Sequence, residues 1–227
     1  MDKKHYAVAV DGPSGAGKST LAKAAAKELG ITYVDTGAIY RVIGLAALRR
    51  GIEPHDAAAV TAFLPELEIG LKHGNDGLQH MYLDGEDVSD AIRLPEVSMY
   101  ASAVSALPDV RAFLLEMQRS LARTQSVIMD GRDIGTVVLP DAEVKIFLTA
   151  DEKVRAQRRC LELEQRGTPK PFDEVLAEIR ERDYNDSHRA AAPLRRADGA
   201  VLVDTSELDF EQSKALILKT IREKIDA

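Results

Sequence analysis

"VAVDGPSGAGKSTLAK", residues 8–23, passes from a short apolar run through a glycine-rich bend to a lysine and then into an alanine-rich segment. Gly12-Pro13-Ser14-Gly15-Ala16-Gly17-Lys18-Ser19 satisfies the G-x-x-x-x-G-K-[ST] spacing, with a predicted strand before it and a predicted helix after it. Glycines let the backbone turn so that successive N–H groups point at phosphate oxygens, and the helix amino terminus adds favourable charge. Lys18 is placed to reach β- and γ-phosphates and Ser19 to offer an oxygen to Mg2+, and residues Gly12 to Thr20 are expected to bind the triphosphate. The stretch therefore predicts a nucleoside triphosphate site and leaves the recipient of the phosphate open.

Working outward, the chain alternates short apolar runs with longer segments of helical period, the pattern of βα units around a parallel sheet. Strands are expected at "YAVAVD" (6–11), "ITYVD" (31–35), "SVIMD" (126–130), "VKIFLT" (144–149) and "AVLVDT" (200–205). In an open parallel sheet the carboxyl ends of the strands face the ligand crevice, so Asp11, Asp35 and Asp130 are candidates to meet there. Between the strands, "KSTLAKAAAKELG" closes on Gly30 and "AIYRVIGLAALRRG" on Gly51. "PDVRAFLLEMQRSLART" opens on Pro108 and Asp109, and "DEKVRAQRRCLELEQRG" stops at Gly167. "DFEQSKALILKTIREKI" is expected to pack on the sheet. From Leu67 to Val88 the rhythm changes to short antiparallel strands with turns at Asn75-Asp76-Gly77 and Asp84-Gly85. The expectation is an α/β fold, a parallel central sheet flanked by helices, formed by one domain over residues 1–227. That domain would carry a small antiparallel insertion on the acceptor side at 64–93 and a helical lid around 157–172.

Bulk composition narrows the function classes. With 45% apolar residues the chain is ordinarily globular, and with no Trp it offers little aromatic surface for stacking bases. A net charge of -7, from 30 basic and 37 acidic residues, gives no global attraction to nucleic acid. The single cysteine, Cys160, leaves no internal disulfide and reads as a semi-buried helix residue. No apolar run has the length of a signal peptide or a membrane span, so a cytoplasmic monomer without nucleic-acid or membrane partners is expected.

The recipient is sought among the arginines. No N-K-x-D motif of a GTPase occurs. Arg41 lies in "DTGAIYR", Arg111 starts a helix, Arg132 sits in "DGRD", and Arg182 and Arg189 flank Asp186. Such clamps offset repulsion between two phosphate groups and stabilise charge on a phosphoryl group in flight. In "MDGRDIGTVVLP" (129–140), Arg132 is suited to an acceptor phosphate, Asp133 to an exocyclic amine, and Asp130 to Mg2+, directly or through water. Arg155 and Arg159 are four apart, as are Arg182 and Asp186, and each pair can share a helix face. From Arg158 onward, Gly167, Pro169 and Pro171 separate two helices, as a lid that excludes water requires. An ionised phosphate acceptor needs no general base. A hydroxyl acceptor does, and Asp35 or Asp133 would then serve. A kinase for another monophosphate or a small metabolite, and a nucleotide-gated RNA-binding module, remain as alternatives at this point.

Taken together, "VDGPSGAGKST", "DTGAIYR", "LDGEDVSDAIR", "DGRDIGTVVLPDAEVKIFLTA" and "ERDYNDSHRAAAPL" resemble the bacterial cytidylate kinases over residues 6 to 225. The resemblance implies a P-loop NTPase fold of the nucleoside-monophosphate-kinase type, with ATP and Mg2+ used to phosphorylate CMP or dCMP. It further implies that Ser102, Arg111 and Asp133 read the cytosine, and that Arg41, Arg132 and Arg189 surround the acceptor phosphate. Arg182 and Asp186 would lie near the sugar and phosphate, and Arg158 would be a lid arginine near the transferring group. Thr36 and Tyr40 join the acceptor site as parts of "DTGAIYR". Lys18, Arg132, Arg158, Arg182 and Arg189 then form the expected catalytic set.

Overall fold

All five residues of β1 (Ala7–Asp11) are buried, as a central strand covered on both faces requires. The computed structural model describes residues 5–74 and 79–226; the turn expected at Asn75-Asp76-Gly77 lies outside them. After β1 come α1 (Lys18–Leu29), β2 (Thr32–Asp35), α2 (Thr36–Arg49), α3 (Ala57–Phe63), β3 (Ile69–His73), β4 (Gln79–Leu83) and β5 (Glu86–Asp87). The chain continues through α4 (Pro95–Val104), α5 (Pro108–Thr124), β6 (Val127–Gly131), β7 (Val144–Thr149) and α6 (Glu152–Gln165). It ends with α7 (Phe172–His188), β8 (Val201–Asp204) and α8 (Phe210–Ile225). Two compact units result, Met1–Tyr33 with Ala122–Ala227, and Val34–Leu121.

The larger sheet has five strands in the order β2-β6-β1-β7-β8, of which β1, β6, β7 and β8 lie wholly in the first unit. The pairs β1–β6, β1–β7 and β7–β8 are parallel, with Val10 opposite Asp130 and Val8 opposite Val144. Strand order jumps between sequence neighbours, which is the signature of helical crossovers. Val8, Val10, Ile128, Ile146, Leu148 and Val203 join Leu21, Ala22 and Ala25 of α1 and Ile217, Leu218 and Ile221 of α8 in one core cluster. The small side chains of α1 bring that helix close to the sheet and so fix where its amino terminus points. Gly30, at φ 67, ends α1 and returns its N–H to Ala26 O. A second cluster, Ala156, Leu163, Val175, Leu176 and Ile179, holds α6 against α7.

The second unit pairs α2 with α4. A Cβ on Gly44 would lie 2.8 Å from Ala101 N, so glycine is what allows these two helix backbones their close approach. Asp35 caps α2 by accepting the Ala38 N–H at 3.0 Å, which starts the helix two residues before the "AIYR" run. The antiparallel sheet β3-β4-β5 matches the predicted change of rhythm. Asp84 and Gly85 both take positive φ, 52° and 84°, as an Asp-Gly hairpin turn demands. Arg49 grips Glu86 with two bonds of 2.7 and 2.8 Å, tying α2 to β5. Among the described residues no helix is long and apolar enough to cross a membrane.

Candidate active site

The loop between β1 and α1 leaves the sheet at Gly12, where a Cβ would fall 1.9 Å from Leu148 O of β7. No side chain fits there, and the chain is forced into the bend that precedes the helix. Lys18 is buried and its Nζ donates to Pro13 O at 2.8 Å, so the lysine arches back across the loop. Burial holds its ammonium well below the ordinary lysine range. Arg132 and Arg182 push the same way, against Asp130 and Asp186. A polyphosphate laid against the loop brings the negative charge that this crowd of cations favours.

Ser19 donates to Asp130 Oδ2 at 2.8 Å, and Tyr33 OH donates to Asp130 Oδ1 at 2.7 Å. Asp130 is 4% exposed at the end of β6, directly beside β1 in the sheet. A loop hydroxyl held against a buried strand-end carboxylate fits the donor set of Mg2+ in a phosphate-loop enzyme. No group of three or more His, Cys, Asp or Glu side chains suited to a metal occurs among the described residues.

Still within the first unit, Arg132 Nε donates to Asp186 Oδ2 at 2.6 Å. Arg189 reaches Asp133 Oδ1 at 3.5 Å and Asp186 Oδ1 at 4.0 Å. Burial opposes ionisation of Asp186, but Arg132, Arg182 and Arg189 outweigh it and keep the carboxyl below its usual value. Lys18 at the start of α1 thus feels Asp130 and Arg132 from the end of β6 and its following turn and Arg182 and Asp186 from α7, while Arg189, just past α7, joins Asp133 and Asp186. In the second unit, the Arg111 guanidinium lies over the Tyr40 ring at 5.4 Å and donates to Ser105 O at 3.0 Å. Arg41 stands 3.8 Å from Asp35, Thr36 is buried in the first turn of α2, and Ser102 lies within α4.

The cytidylate kinase family model matches residues 8–223. The chain belongs to the cytidylate kinase family. A cytidylate kinase of Caldicellulosiruptor bescii is 50% identical over 216 residues, 95% of each chain. One of Geobacter sulfurreducens is 48% identical over 217 residues, covering 96% of this chain and 93% of its own. The crystal structure of an uncharacterised protein from Eubacterium ventriosum shares the fold, with a TM-score of 0.54 at 13% identity over 96% of this chain and 99% of that one.

Three arginines of α6 take different partners. Arg158, the expected lid arginine, donates to Thr205 O at 2.7 Å and Thr205 Oγ1 at 3.1 Å, just beyond β8. At about 100° per residue it projects about 60° away from Arg155 on the helix. Arg155 is the α6 arginine that meets the donor loop, through Ser14 O at 2.8 Å. Arg159 pairs with Glu162 on the surface. The sequence carried only the four-residue spacing of Arg155 and Arg159 as a signal.

Asp11 is a second residue of this cytidylate kinase whose part could not be read from sequence. Its carboxylate accepts the N–H groups of Ile134 and Gly135, both at 2.7 Å, and so anchors the single π-helical turn Ile134–Val138 that follows Asp133. Burial pushes its pKa up to about 6, against the two N–H bonds, with Asp133 raising it further and Lys18 lowering it. Because the folded-state value lies above the unfolded one, the folded chain retains the extra proton between the two. The Asp11 contribution to stability is therefore full below about pH 4 and is lost as pH rises to about 6. A shift of about two pK units corresponds to about 3 kcal/mol. Asp11→Asn abolishes this titration, so urea unfolding from about pH 4 to about pH 7.5 should move the stability difference by about 3 kcal/mol in favour of the variant. A difference independent of pH would contradict it.

Proposed function

We propose that this chain transfers the γ-phosphoryl group of ATP to CMP or dCMP, giving ADP and CDP or dCDP. The observation that carries the reading is that one unit holds both the donor loop, with Ser19 bonded to Asp130 at the end of β6, and, two residues on, Arg132 paired with Asp186, which Arg189 also faces. Two phosphate-seeking groups of side chains at such close quarters suit transfer from one phosphate to another better than release to water.

In this reading Gly12 to Thr20 cradle the triphosphate, with Lys18 on the β- and γ-oxygens. Ser19 and Asp130 would hold Mg2+, directly or through water, and the ion would supply neutralisation of charge on the phosphates. Arg132 and Arg189, with Arg41, take the acceptor phosphate; Arg182 and Asp186 take its ribose and phosphate. Ser102, Arg111 and Asp133 read the cytosine, and Thr36 and Tyr40 border it. The acceptor oxygen is already ionised at neutral pH, so no side chain has to remove a proton before attack. What the protein supplies is in-line alignment and cationic stabilisation of the transferring group, without a covalent enzyme intermediate. The helices α6 and α7, joined by a short connection containing Pro169 and Pro171, are assigned the exclusion of water.

ADP release from ATP-Mg2+ with CMP, dCMP, UMP, AMP or water as acceptor tests reaction class and acceptor together. CMP and dCMP should exceed AMP and water by about two orders of magnitude or more, since a site built to pair polar groups of one base strongly disfavours a base that leaves them unpaired. Equal rates with AMP and CMP would overturn the reading.

A further inference from the structure

The backbone of Ser14, inside the donor loop, is held on both sides. Its N–H donates to Asp183 Oδ1 at 3.1 Å, and its carbonyl accepts from Arg155 Nη1 at 2.8 Å. The same Nη1 donates to Asp183 Oδ2 at 2.6 Å, closing a ring of three groups from three elements. Arg155 is itself fixed, since it is 6% exposed and its Nε donates to Ala150 O at 2.9 Å, just past β7. Gly15, the next loop residue, lies against this arginine, for a Cβ there would meet Arg155 Cβ at 3.2 Å and Ile179 of α7 at 3.5 Å. Neither Arg155 nor Asp183 belongs to the glycine-rich motif, yet together they occupy both backbone hydrogen-bonding groups of one of its residues.

We propose that Asp183, braced by Arg155, is a positioning residue for the donor loop. The loop must keep its N–H groups aimed inward before a triphosphate arrives, and a free loop of small residues loses considerable conformational entropy on being ordered. Fixing Ser14 between a carboxylate and a guanidinium removes that freedom in advance. The charge-assisted bonds are of the stronger kind, and Arg155 is nearly fully buried, so the brace resists solvent competition. The position of Asp183 on α7 adds a second consequence. Arg182 and Asp186, its neighbours on the helix, belong to the acceptor cluster, so the helix that steadies the donor loop also presents residues to the acceptor phosphate. Loss of Asp183 should nevertheless fall on the donor side, because Asp186 retains Arg132 at 2.6 Å whatever happens at position 183.

The inference rests on the kinase reading above, and separate binding measurements distinguish the two. Binding of a non-hydrolysable ATP analogue with Mg2+, and of CMP alone, would be measured by calorimetry on the whole chain for wild type, Asp183→Ala and Asp183→Asn. Asp183→Ala should weaken the analogue about tenfold or more, the size expected for removing a hydrogen bond to a charged group. CMP affinity should change less than about twofold. Asp183→Asn keeps an acceptor for the Ser14 N–H and loses only the charge, so it should recover at least half of the lost free energy, leaving a deficit of about threefold. Should Asp183→Ala not fold, the Asp183→Asn comparison decides alone on the same criterion. Parallel loss of both ligands, or an unchanged analogue affinity in the variants, would overturn the positioning role. A wild-type chain that binds neither ligand would instead overturn the kinase reading.

Discussion

Lys18→Met is expected to lower kcat for phosphoryl transfer from ATP to CMP by about 10²- to 10³-fold, the cost of removing one preorganised charge from a transition state. Methionine keeps much of the apolar stem and removes the ammonium. The site around it is already rich in cations, and burial presses Lys18 toward its neutral form, so its charge is most strongly favoured when phosphate oxygens surround it. That requirement grows as charge spreads over the transferring group, which places the loss in kcat as well as in ATP affinity. Removing a buried ammonium among arginines leaves the fold intact or steadier, and thermal unfolding should show no loss of stability. Steady-state kinetics at saturating ATP checks the claim; a variant with wild-type kcat and only a raised KM for ATP would reduce Lys18 to a ground-state contact.

Arg132→Ala should be comparably severe and fall on the other substrate. Its Nε bond to Asp186 is short and both side chains are largely buried, at 19% and 11% exposure. Truncation therefore removes a cation from the acceptor clamp and leaves a carboxylate facing the incoming phosphate with less compensation. Transfer to CMP should drop about 10²- to 10³-fold in kcat/KM, while affinity for an ATP analogue stays within about threefold. Arg132→Lys restores charge without the guanidinium's fixed donor geometry and should recover only part of the loss. Calorimetry with the analogue, beside kcat/KM for CMP, separates the two effects. Undiminished transfer to CMP would remove Arg132 from the clamp.

The strands were legible because their signals are local. "YAVAVD", "SVIMD" and "VKIFLT" are short apolar runs ended by polar residues, and β1, β6 and β7 appear within a residue of those bounds. The hairpin turn at Asp84-Gly85 was equally local, since both positions need positive φ and this dipeptide tolerates it. α4 was not legible as a helix. "PEVSMYASAV" has no marked apolar stripe, and its pairing with α2 depends on a glycine more than fifty residues upstream, Gly44 against Ala101. Distance in sequence likewise hid the partners of Asp11, which lie 123 and 124 positions away, and that of Arg155, whose bond to Ser14 spans 141. The arginines of α6 show the limit from the other side. An arginine on a helix near a lid is readable, but which of Arg155, Arg158 and Arg159 faces the loop depends on how α6 rolls against its neighbours. That roll is set by the apolar contacts of Ala156 and Leu163 with α7, through Val175, Leu176 and Ile179, and no motif encodes it.

Direct transfer between two nucleotides is tested most plainly by following the phosphoryl group itself. With ATP labelled in the γ-phosphoryl group and with CMP in excess, the account predicts that the label appears in CDP, one labelled CDP for each ADP formed. It also predicts that no label stays on the protein when the reaction is quenched during turnover. Label recovered mainly as inorganic phosphate, or bound covalently to the chain, would contradict it.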